Sequence, residues 1–289
     1  MTSFYASISA METVLGVDAG GTVSRAVLTG RDGTVLGTGR AGPGNPSRCG
    51  AAAVTAIGRA VRGALTGHDP GSVGAAVVGV AGLSGVAAVA GAFEREWKSI
   101  GLTCEVPVVG DAVTAFAAGS AESAGAVLIA GTGAVAAVVD GMAVVRVADG
   151  LGWLLGDEGS GTWIGLQAVR AAVRRDSPLA AAIMRYAGVT SSDALVNWAG
   201  RQPPTVFAGL CPLVCATADP VAGRILDDAV ARLLATLAEL GGTGPVVLAG
   251  ALLTGDTPVR RGVVAALGDR ATVAGDPALG AARLALRRS

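Results

Sequence analysis

The chain has 289 residues, of which 51% are hydrophobic, and this length accommodates about two domains of ~100–200 residues each. Its 22 basic and 22 acidic side chains balance, which argues against nucleic acid or an anionic membrane as the main partner. The four cysteines are too few for a disulfide framework in a chain of this length, and a reducing cytoplasm fits them.

The N-terminal part of the chain predicts alternating strands and helices. Residues 1–12 lack the basic and apolar regions of a signal peptide and are interpreted as a loose tail, with Met11 as an alternative start. Strands are predicted near residues 14–19, 23–30, 34–39, 74–80 and 105–109, and helices near 47–66, near 85–99 and from 112. Residues 70–93 carry no charge over a length that could cross a bilayer, but six glycines interrupt them, which favours a strand, a loop and a helix.

The second half of the chain repeats the pattern of the first. Strands are predicted near residues 125–130, 134–140 and 143–147, then a helical region over 161–239, a strand at 245–249, a helix near 257–268, a strand at 271–274 and a helix near 277–287. Because three neighbouring strands followed by alternating helices and strands occur twice, the sequence predicts a duplicated α/β fold with a cleft between the halves. The predicted domains are residues 1–119, joined by the C-terminal helix 276–289, and residues 120–275.

Each half opens with a strand, a glycine turn and a second strand. In the first half the turn contains Asp18 and the segment Gly20-Gly21-Thr22, and in the second half it contains Gly131-Thr132-Gly133. Glycine lets backbone N–H groups approach an anion closely, and Asp18 stands where a metal bound to phosphates could be held. Either turn alone is typical of a plain hairpin. The two together predict loops that clamp a phosphate chain from both sides.

Asp111 closes the apolar strand before a predicted helix. One interpretation is a helix N-cap, since aspartate is common at that position. The other is a general base at the carboxyl end of a strand, where α/β proteins bind ligands. Transfer of a γ-phosphoryl group to an alcohol needs such an acceptor for the hydroxyl proton, together with alignment and Mg²⁺.

A third cluster, residues 150–161, surrounds Asp157 and Glu158 with glycines. A buried acidic pair is costly unless it binds donors such as sugar hydroxyls, a cation or backbone N–H groups. The alternative is a helix cap with Trp153 and Trp163 packed in the core. Cys211 and Cys215, four residues apart, could share a helix face, where they are either ordinary buried thiols or part of a metal site.

Taken together, residues 17–22, 131–133 and 153–165 resemble the N-acetylglucosamine kinase branch of the BadF/BadG/BcrA/BcrD ATPase family, within the sugar kinase/Hsp70/actin superfamily. The resemblance runs from about residue 14 to the C-terminus. It implies an α/β fold with two duplicated ribonuclease H-like (actin-like ATPase) domains and an interdomain cleft. It also implies an ATP-dependent kinase that phosphorylates the 6-hydroxyl of N-acetylglucosamine or a related hexosamine and uses ATP and Mg²⁺. Members of this family often form homodimers, but no residue of this sequence indicates the oligomeric state.

The resemblance also assigns site residues. Asp18 would hold Mg²⁺, mostly through water, and Asp111 would be the catalytic base. The implied nucleotide-binding residues are Gly20, Gly21, Thr22, Ser24, Arg25, Gly131, Thr132, Gly133, Gly250 and Ala251. The implied sugar-binding residues are Asn45, Asp111, Thr132, Gly150, Leu151 and Asp157.

Three positions depart from the family pattern. Ala134 replaces a serine after the second phosphate loop, the segment Asp149-Gly150-Leu151-Gly152 replaces Gly-Gly-Trp-Gly, and Gly250-Ala251 replaces a pair of glycines. Two other readings of the same fold therefore stay open. One is an ATPase activator of a radical dehydratase or reductase, whose cysteines bridge an iron–sulfur cluster across a dimer. The other is a non-catalytic sugar sensor.

Overall fold

The computed structural model describes residues 13–288, so the predicted tail over residues 1–12 and the alternative start at Met11 lie outside the described residues. The chain forms two compact units. The first contains the described residues up to Ser123, together with 139–144 and the chain from Ala274 onwards, and the second contains residues 124–138 and 145–273. The predicted domain boundaries at 119/120 and 275/276 stay a prediction.

The first unit is built on a five-stranded sheet of order β3-β2-β1-β4-β5. The strands are β1 (Thr13–Ala19), β2 (Ser24–Gly30), β3 (Val35–Ala41), β4 (Val73–Val80) and β5 (Val108–Gly110), and the helices among them are α1 (Pro46–Cys49), α2 (Ala51–Ala64), α3 (Val86–Ile100) and α4 (Asp111–Gly119). β1 is antiparallel to β2 and parallel to β4, and β4 is parallel to β5. The carboxyl ends of β1, β4 and β5 therefore meet at one edge of the sheet.

Two elements of the first unit differ from the sequence prediction. The helix predicted over residues 47–66 is interrupted at Gly50, whose φ of 53° is in the left-handed region that favours glycine. The strand predicted at 105–109 begins only at Val108, because Pro107 has no N–H to donate. The carbonyl of Pro107 still accepts a hydrogen bond from Val78 N–H at 3.0 Å.

The second unit has a sheet of order β10-β9-β6-β7-β8, which is the strand order of the first sheet when read in reverse. Its strands are β6 (Ala124–Ala130), β7 (Ala134–Asp140), β8 (Ala143–Asp149), β9 (Val246–Ala249) and β10 (Ala271–Val273). β9 is parallel to β6 and to β10, as β4 is to β1 and to β5. The predicted duplication is confirmed by this repeated order.

The region predicted as helical over 161–239 divides into six helices. They are α5 (Gly161–Arg174), α6 (Pro178–Ala187), α7 (Ser192–Ala199), α8 (Pro204–Ala208), α9 (Cys211–Ala216) and α10 (Pro220–Leu240), and the chain continues with α11 (Ala251–Thr254), α12 (Pro258–Leu267) and α13 (Pro277–Leu286). Proline lies in the first turn of α6, α8 and α10, where its missing N–H costs no helical hydrogen bond. Among residues 13–288 no single helix is long and apolar enough to cross a membrane, and only the sharply bent pair of residues 204–216 and 220–240 reaches that length and composition when taken together.

Helix α13 packs directly on β1 and α4 in the first unit, and glycines make this approach close. A Cβ placed on Gly16 would lie 2.1 Å from the carbonyl oxygen of Ala278, and one on Gly280 would lie 2.1 Å from that of Thr114. The C-terminal helix is therefore held against the strand that ends in Asp18.

Candidate active site

Asp18 lies at the carboxyl end of β1, the central strand of the first sheet. It pairs in register with Arg25 on β2 and with Gly79 on β4. Burial, and next the charge of Asp111, raise the pKa of Asp18 to about 7, while Arg25 acts in the opposite direction. The sheet thus presents a carboxylate whose charge its own surroundings leave largely uncompensated.

Asp111 follows β5 directly and is the first residue of α4. Gly110 is the N-cap of this helix, and the Asp111 carboxylate instead accepts a hydrogen bond from its neighbour Ala112 N–H at 3.0 Å. Burial raises the pKa of Asp111, and the Ala112 hydrogen bond opposes that shift. The predicted alternative of a simple N-cap therefore does not describe this residue, which has room to accept further donors.

The loop after Asp18 is a tight turn that offers its glycines to the outside. Gly20 N–H donates to the Val23 carbonyl at 2.9 Å, and Gly44 N–H donates to the Gly20 carbonyl at 3.0 Å. A Cβ on Gly21 would meet no atom within 4 Å, so the fold itself does not demand glycine there. Thr22, at the tip of the loop, is exposed. A bound anion is one physical reason for glycine at such an open position.

Two other predicted residues near this loop hold the fold. The hydroxyl of Ser24 is buried and donates to the Gly42 carbonyl at 3.0 Å, so it fixes the segment beside the loop. Asn45 is the N-cap of α1, and its Oδ1 accepts a hydrogen bond from Arg48 N–H at 3.1 Å. Within residues 13–288 the Asn45 Nδ2 group has no hydrogen-bond partner, so this amide has donors left for a ligand.

The second glycine loop is fixed to the N-terminus of α5 in the second unit. Gly131 N–H donates to the Gly133 carbonyl at 2.9 Å, which closes the turn, and Gly161 N–H donates to the Gly131 carbonyl at 2.8 Å. The Thr162 hydroxyl donates to the Thr132 carbonyl at 2.6 Å. The loop therefore lies beside the positive end of a 14-residue helix, an environment that favours anions.

Asp157 reaches back to this loop. Its Oδ1 accepts a hydrogen bond from Ala134 N–H at 3.3 Å, and a Cβ on Gly133 would lie 2.7 Å from its Oδ2. Burial raises the pKa of Asp157, the Ala134 hydrogen bond opposes the shift, and the Asp149 carboxylate adds to it. Because residue 133 is glycine and has no side chain, the Asp157 carboxylate can lie against the phosphate loop.

Asp149 organises the segment that carries Asp157. Its two carboxylate oxygens accept hydrogen bonds from Asp157 N–H at 2.7 Å and from Glu158 N–H at 2.8 Å. Asp149 and Asp157, with φ values of 61° and 55°, are the only non-glycine residues in the described chain with positive φ. Backbone held in this sparsely populated region is typical of functional segments.

The neighbours of this segment divide between paired and exposed side chains. Glu158 forms an ion pair with Arg232, whose guanidinium lies 4.9 Å from the centre of the Trp163 ring. Trp163 packs partly buried against the core, but Trp153 is exposed. Gly150, with a φ of 75°, lies against Val135, and Leu151 is 66% exposed, so the side chain at the predicted acetamido position points away from the protein interior.

A cavity of about 630 Å³ opens beside the second glycine loop, within the second unit. Its mostly small or apolar walls come from the loop, α5, α8, α9, α11 and α12; the lining residues are Gly131, Thr132, Gly161, Ala208, Cys211, Pro212, Cys215, Ala216, Ala251, Leu252, Asp256, Thr257, Pro258 and Arg261. Gly250, just before Ala251, has a φ of 81°, and a Cβ there would lie 2.3 Å from the Ala130 carbonyl oxygen. The turn therefore requires glycine at position 250. Ala251, which replaces the second glycine of the family pattern, does not occupy that position.

Three of the predicted nucleotide-binding residues, Gly131, Thr132 and Ala251, line this cavity. The sequence does not predict the rest of its wall: Arg261 carries no signal, and the pair Cys211 and Cys215 indicates only buried thiols or a metal site. No group of three or more His, Cys, Asp and Glu side chains in residues 13–288 is placed to hold a metal ion directly. For the wall on α9, the four-residue spacing of the cysteines indicates a shared helix face but not which part of the protein that face borders.

Comparison with known proteins now identifies the family, because the model of the BadF/BadG/BcrA/BcrD ATPase family matches residues 15–282. The chain belongs to this family. The match covers both units and confirms the resemblance seen in the sequence.

Individual relatives agree with this membership. An N-acetylmuramic acid/N-acetylglucosamine kinase from Clostridium acetobutylicum is 30% identical over 147 residues, which are 47% of this chain and 48% of that protein. The chain thus spans about half the length of the curated relative it matches. A candidate N-acetylglucosamine kinase structure from Chromobacterium violaceum is 27% identical, with a TM-score of 0.77 over 95% of this chain and 99% of that one.

A more distant structure supports the fold alone. The ROK family glucokinase from Streptomyces griseus, solved with glucose and AMPPNP, is 21% identical and has a TM-score of 0.57 over 96% of this chain and all of that one. The duplicated α/β fold of this chain is therefore shared with a sugar kinase of another family.

Proposed function

We propose that this protein is an ATP-dependent amino-sugar kinase, which transfers the γ-phosphoryl group of ATP to the 6-hydroxyl of N-acetylglucosamine or a related hexosamine. The observation that carries the proposal is the pair of carboxylates at one edge of the first sheet. Asp18 and Asp111 end two strands on either side of β4, and the charge of one raises the pKa of the other. A kinase needs this pairing of a cation-binding acid with an acid that accepts a proton.

The nucleotide would use the second unit for its adenosine part. The cavity beside Gly131 and Thr132 is large enough for a small-molecule ligand and is continuous with the phosphate loop. The loop's place beside the α5 N-terminus supports the binding of phosphate there, and the open glycines after Asp18 support the same role. Arg25, which faces Asp18 across β1 and β2 and lowers its pKa, would contact the phosphates as the resemblance implies.

The residues present fit a bound Mg²⁺. The raised pKa of Asp18 indicates a site that would gain from a nearby cation, and carboxylate oxygen is a ligand that Mg²⁺ accepts together with water and phosphate oxygens. Mg²⁺, when bound, neutralises charge that builds up on the phosphates. Asp18 would hold this ion on the first unit.

Asp111 would act on the acceptor sugar. Its ionised carboxylate, placed by Gly110 and anchored by Ala112 N–H, would align the 6-hydroxyl and accept its proton as the oxygen bonds to the phosphoryl group. Asn45 would donate from its free Nδ2 to a sugar hydroxyl, and Asp157 would accept from another. Binding of the sugar by fixed polar groups would supply the orientation on which the transfer depends.

The proposal is tested by release of ADP from ATP in a panel of sugars. We expect N-acetylglucosamine or a close relative to stimulate release, with phosphate on the 6-oxygen of the product. Asp111→Asn should lower kcat by a factor on the order of 10²–10⁴, the usual contribution of a general base, while the affinity for ADP stays near that of the wild type.

Two outcomes would reject this assignment. Substantial turnover by Asp111→Asn would show that Asp111 is not the general base. If no hexosamine stimulated release of ADP, the proposed substrate class would be wrong. A sugar that binds without release of ADP would favour a sugar sensor, and iron in anaerobically purified protein would favour a dehydratase activator. The mass of the same preparation in solution tests the implied homodimer.

A further inference from the structure

Two cysteines share the wall of the cavity assigned above to adenosine. Cys211 and Cys215 lie one helical turn apart on α9, and both line the cavity together with Thr132 and Ala251. Cys211 is 7% exposed, whereas Cys215 is only partly buried. Both thiols therefore border the cavity, and Cys215 is the more exposed of the two.

The surroundings of the pair differ on its two sides. The interaction with the Cys211 thiol lowers the pKa of Cys215, burial opposes that shift, and the charge of Arg261, which lines the same cavity from α12, adds to it. The same interaction, with burial, raises the pKa of Cys211. Cys215 is thus the more acidic and the more exposed thiol of the pair.

Arg261 shares its carboxylate partner with a second arginine. Asp256 also lines the cavity and pairs with Arg261 at 2.8 Å and with Arg260, which lies outside the cavity wall, at 3.3 Å. Because two guanidinium groups share one carboxylate, Asp256 neutralises Arg261 only in part. A positive environment and partial exposure are what distinguish reactive cysteines from inert buried ones.

We propose that Cys215 is a modification site for low-molecular-weight disulfides, and that the adduct occupies the cavity and excludes the nucleotide. The exclusion rests on the proposed function, because it takes the cavity as the adenosine site. The Cys215 thiolate attacks one sulfur of the disulfide R–S–S–R, and a new Cys215–S–S–R bond forms as the old S–S bond breaks. The second R–S⁻ leaves and takes up a proton from water, so no other oxidant is needed.

The remaining cysteines are internal controls. Burial raises the pKa of Cys104, and Cys49 is a partly buried residue at the end of α1 in the first unit. Neither lines the cavity. We expect Cys215 to react faster than either one, by a factor on the order of ten for each pKa unit of added thiolate, moderated by the lower nucleophilicity of the more acidic thiol.

The probe is 4,4′-dithiodipyridine, a neutral disulfide whose aromatic adduct is comparable in size to a nucleobase. Release of thiopyridone measures the rate, and peptide mass spectrometry identifies the modified residue. We expect first modification at Cys215, slowing of that modification by ADP, and loss of ADP affinity in the modified protein. Cys211→Ala should slow the reaction, while Cys49→Ser should leave it unchanged.

The variant Cys215→Ser separates the outcomes. Treated Cys215→Ser should keep the ADP affinity of its own untreated sample. The proposal is overturned if Cys215 reacts no faster than Cys49 and Cys104, or if the singly modified wild type binds ADP unchanged. Failure of the untreated wild type to bind ADP would instead reject the proposed function and with it the exclusion of nucleotide, while the mass spectra still decide the reactivity of Cys215.

Discussion

At the scale of single residues, Asp149 illustrates how one departure from a family pattern acquires a structural role. It stands where the family pattern has glycine, and its φ of 61° is the conformation that glycine adopts without strain. An aspartate tolerates this region better than most residues, because its short polar side chain bonds to nearby backbone. Here that side chain accepts hydrogen bonds from Asp157 and Glu158 N–H, so the strain is offset by order in the segment that follows.

We predict that Asp149→Ala loosens the segment that carries Asp157. Two hydrogen bonds to a charged acceptor are lost and the positive φ stays, so the free energy of unfolding should fall by roughly 1–3 kcal/mol. Chemical denaturation measures this fall, and faster hydrogen exchange at the Asp157 and Glu158 amides locates it. If the segment holds the sugar, KM for the sugar should rise more than KM for ATP.

The matched control for this variant is Asp140→Ala, because Asp140 is an exposed aspartate at the end of β7. It should unfold within about 0.5 kcal/mol of the wild type, as surface substitutions usually do. Equal losses of stability in the two variants would show that the Asp149 hydrogen bonds do not hold the segment.

At the scale of elements, glycines serve two opposite purposes in β1 and the loop that follows it. Gly16 lets α13 lie against the strand, since a Cβ there would stand 2.1 Å from the Ala278 carbonyl oxygen. Gly21 has open space around the place of its missing side chain. The first glycine is therefore required by packing, and the second is free to serve a ligand.

Alanine at each position separates these purposes. Gly16→Ala should lower the free energy of unfolding by about 3 kcal/mol, because backbone atoms of a packed helix have to move. Gly21→Ala should leave stability within about 0.5 kcal/mol, since nothing is crowded. Gly21→Ala should nevertheless weaken ATP binding, because its methyl group intrudes where phosphate would approach the backbone. A stable Gly16→Ala, or unchanged ATP affinity in Gly21→Ala, would contradict the assignment of that glycine.

The same elements show what a sequence can and cannot predict. Apolar runs and glycine turns predicted the strands beside Asp18 and the loop at 131–133, because those patterns are local. The break at Gly50 and the late start of β5 after Pro107 also depend on single residues. The sequence prediction nevertheless has a continuous helix and a longer strand, because it follows the periodicity of the surrounding residues. The walls that α9 and α12 contribute to the cavity are not predicted, because these helices are distant in sequence and only tertiary packing brings Cys215 and Arg261 to one surface.

At the scale of the whole molecule, each unit of the duplicated fold carries its own set of candidate site residues. Asp18, Asp111 and Asn45 belong to the first unit, while the second glycine loop, Asp157 and the cavity belong to the second. Each unit repeats the same strand order, so equivalent strand ends provide a glycine loop in both. Duplication thus explains why two loops with related sequences are found in one chain.

Hydrogen exchange with and without ADP tests this distribution. A ligand in the cavity contacts segments 208–216 and 251–261 and closes off the water that their amides need, so exchange there should slow. Helix α7 is the control, because it belongs to the same unit but does not line the cavity. Adenosine, which lacks phosphates, should slow the cavity segments while leaving residues 20–22 unchanged. Slowing of α7 to the same extent as the cavity segments would indicate general stiffening of the second unit, and an unchanged cavity would place the nucleotide elsewhere.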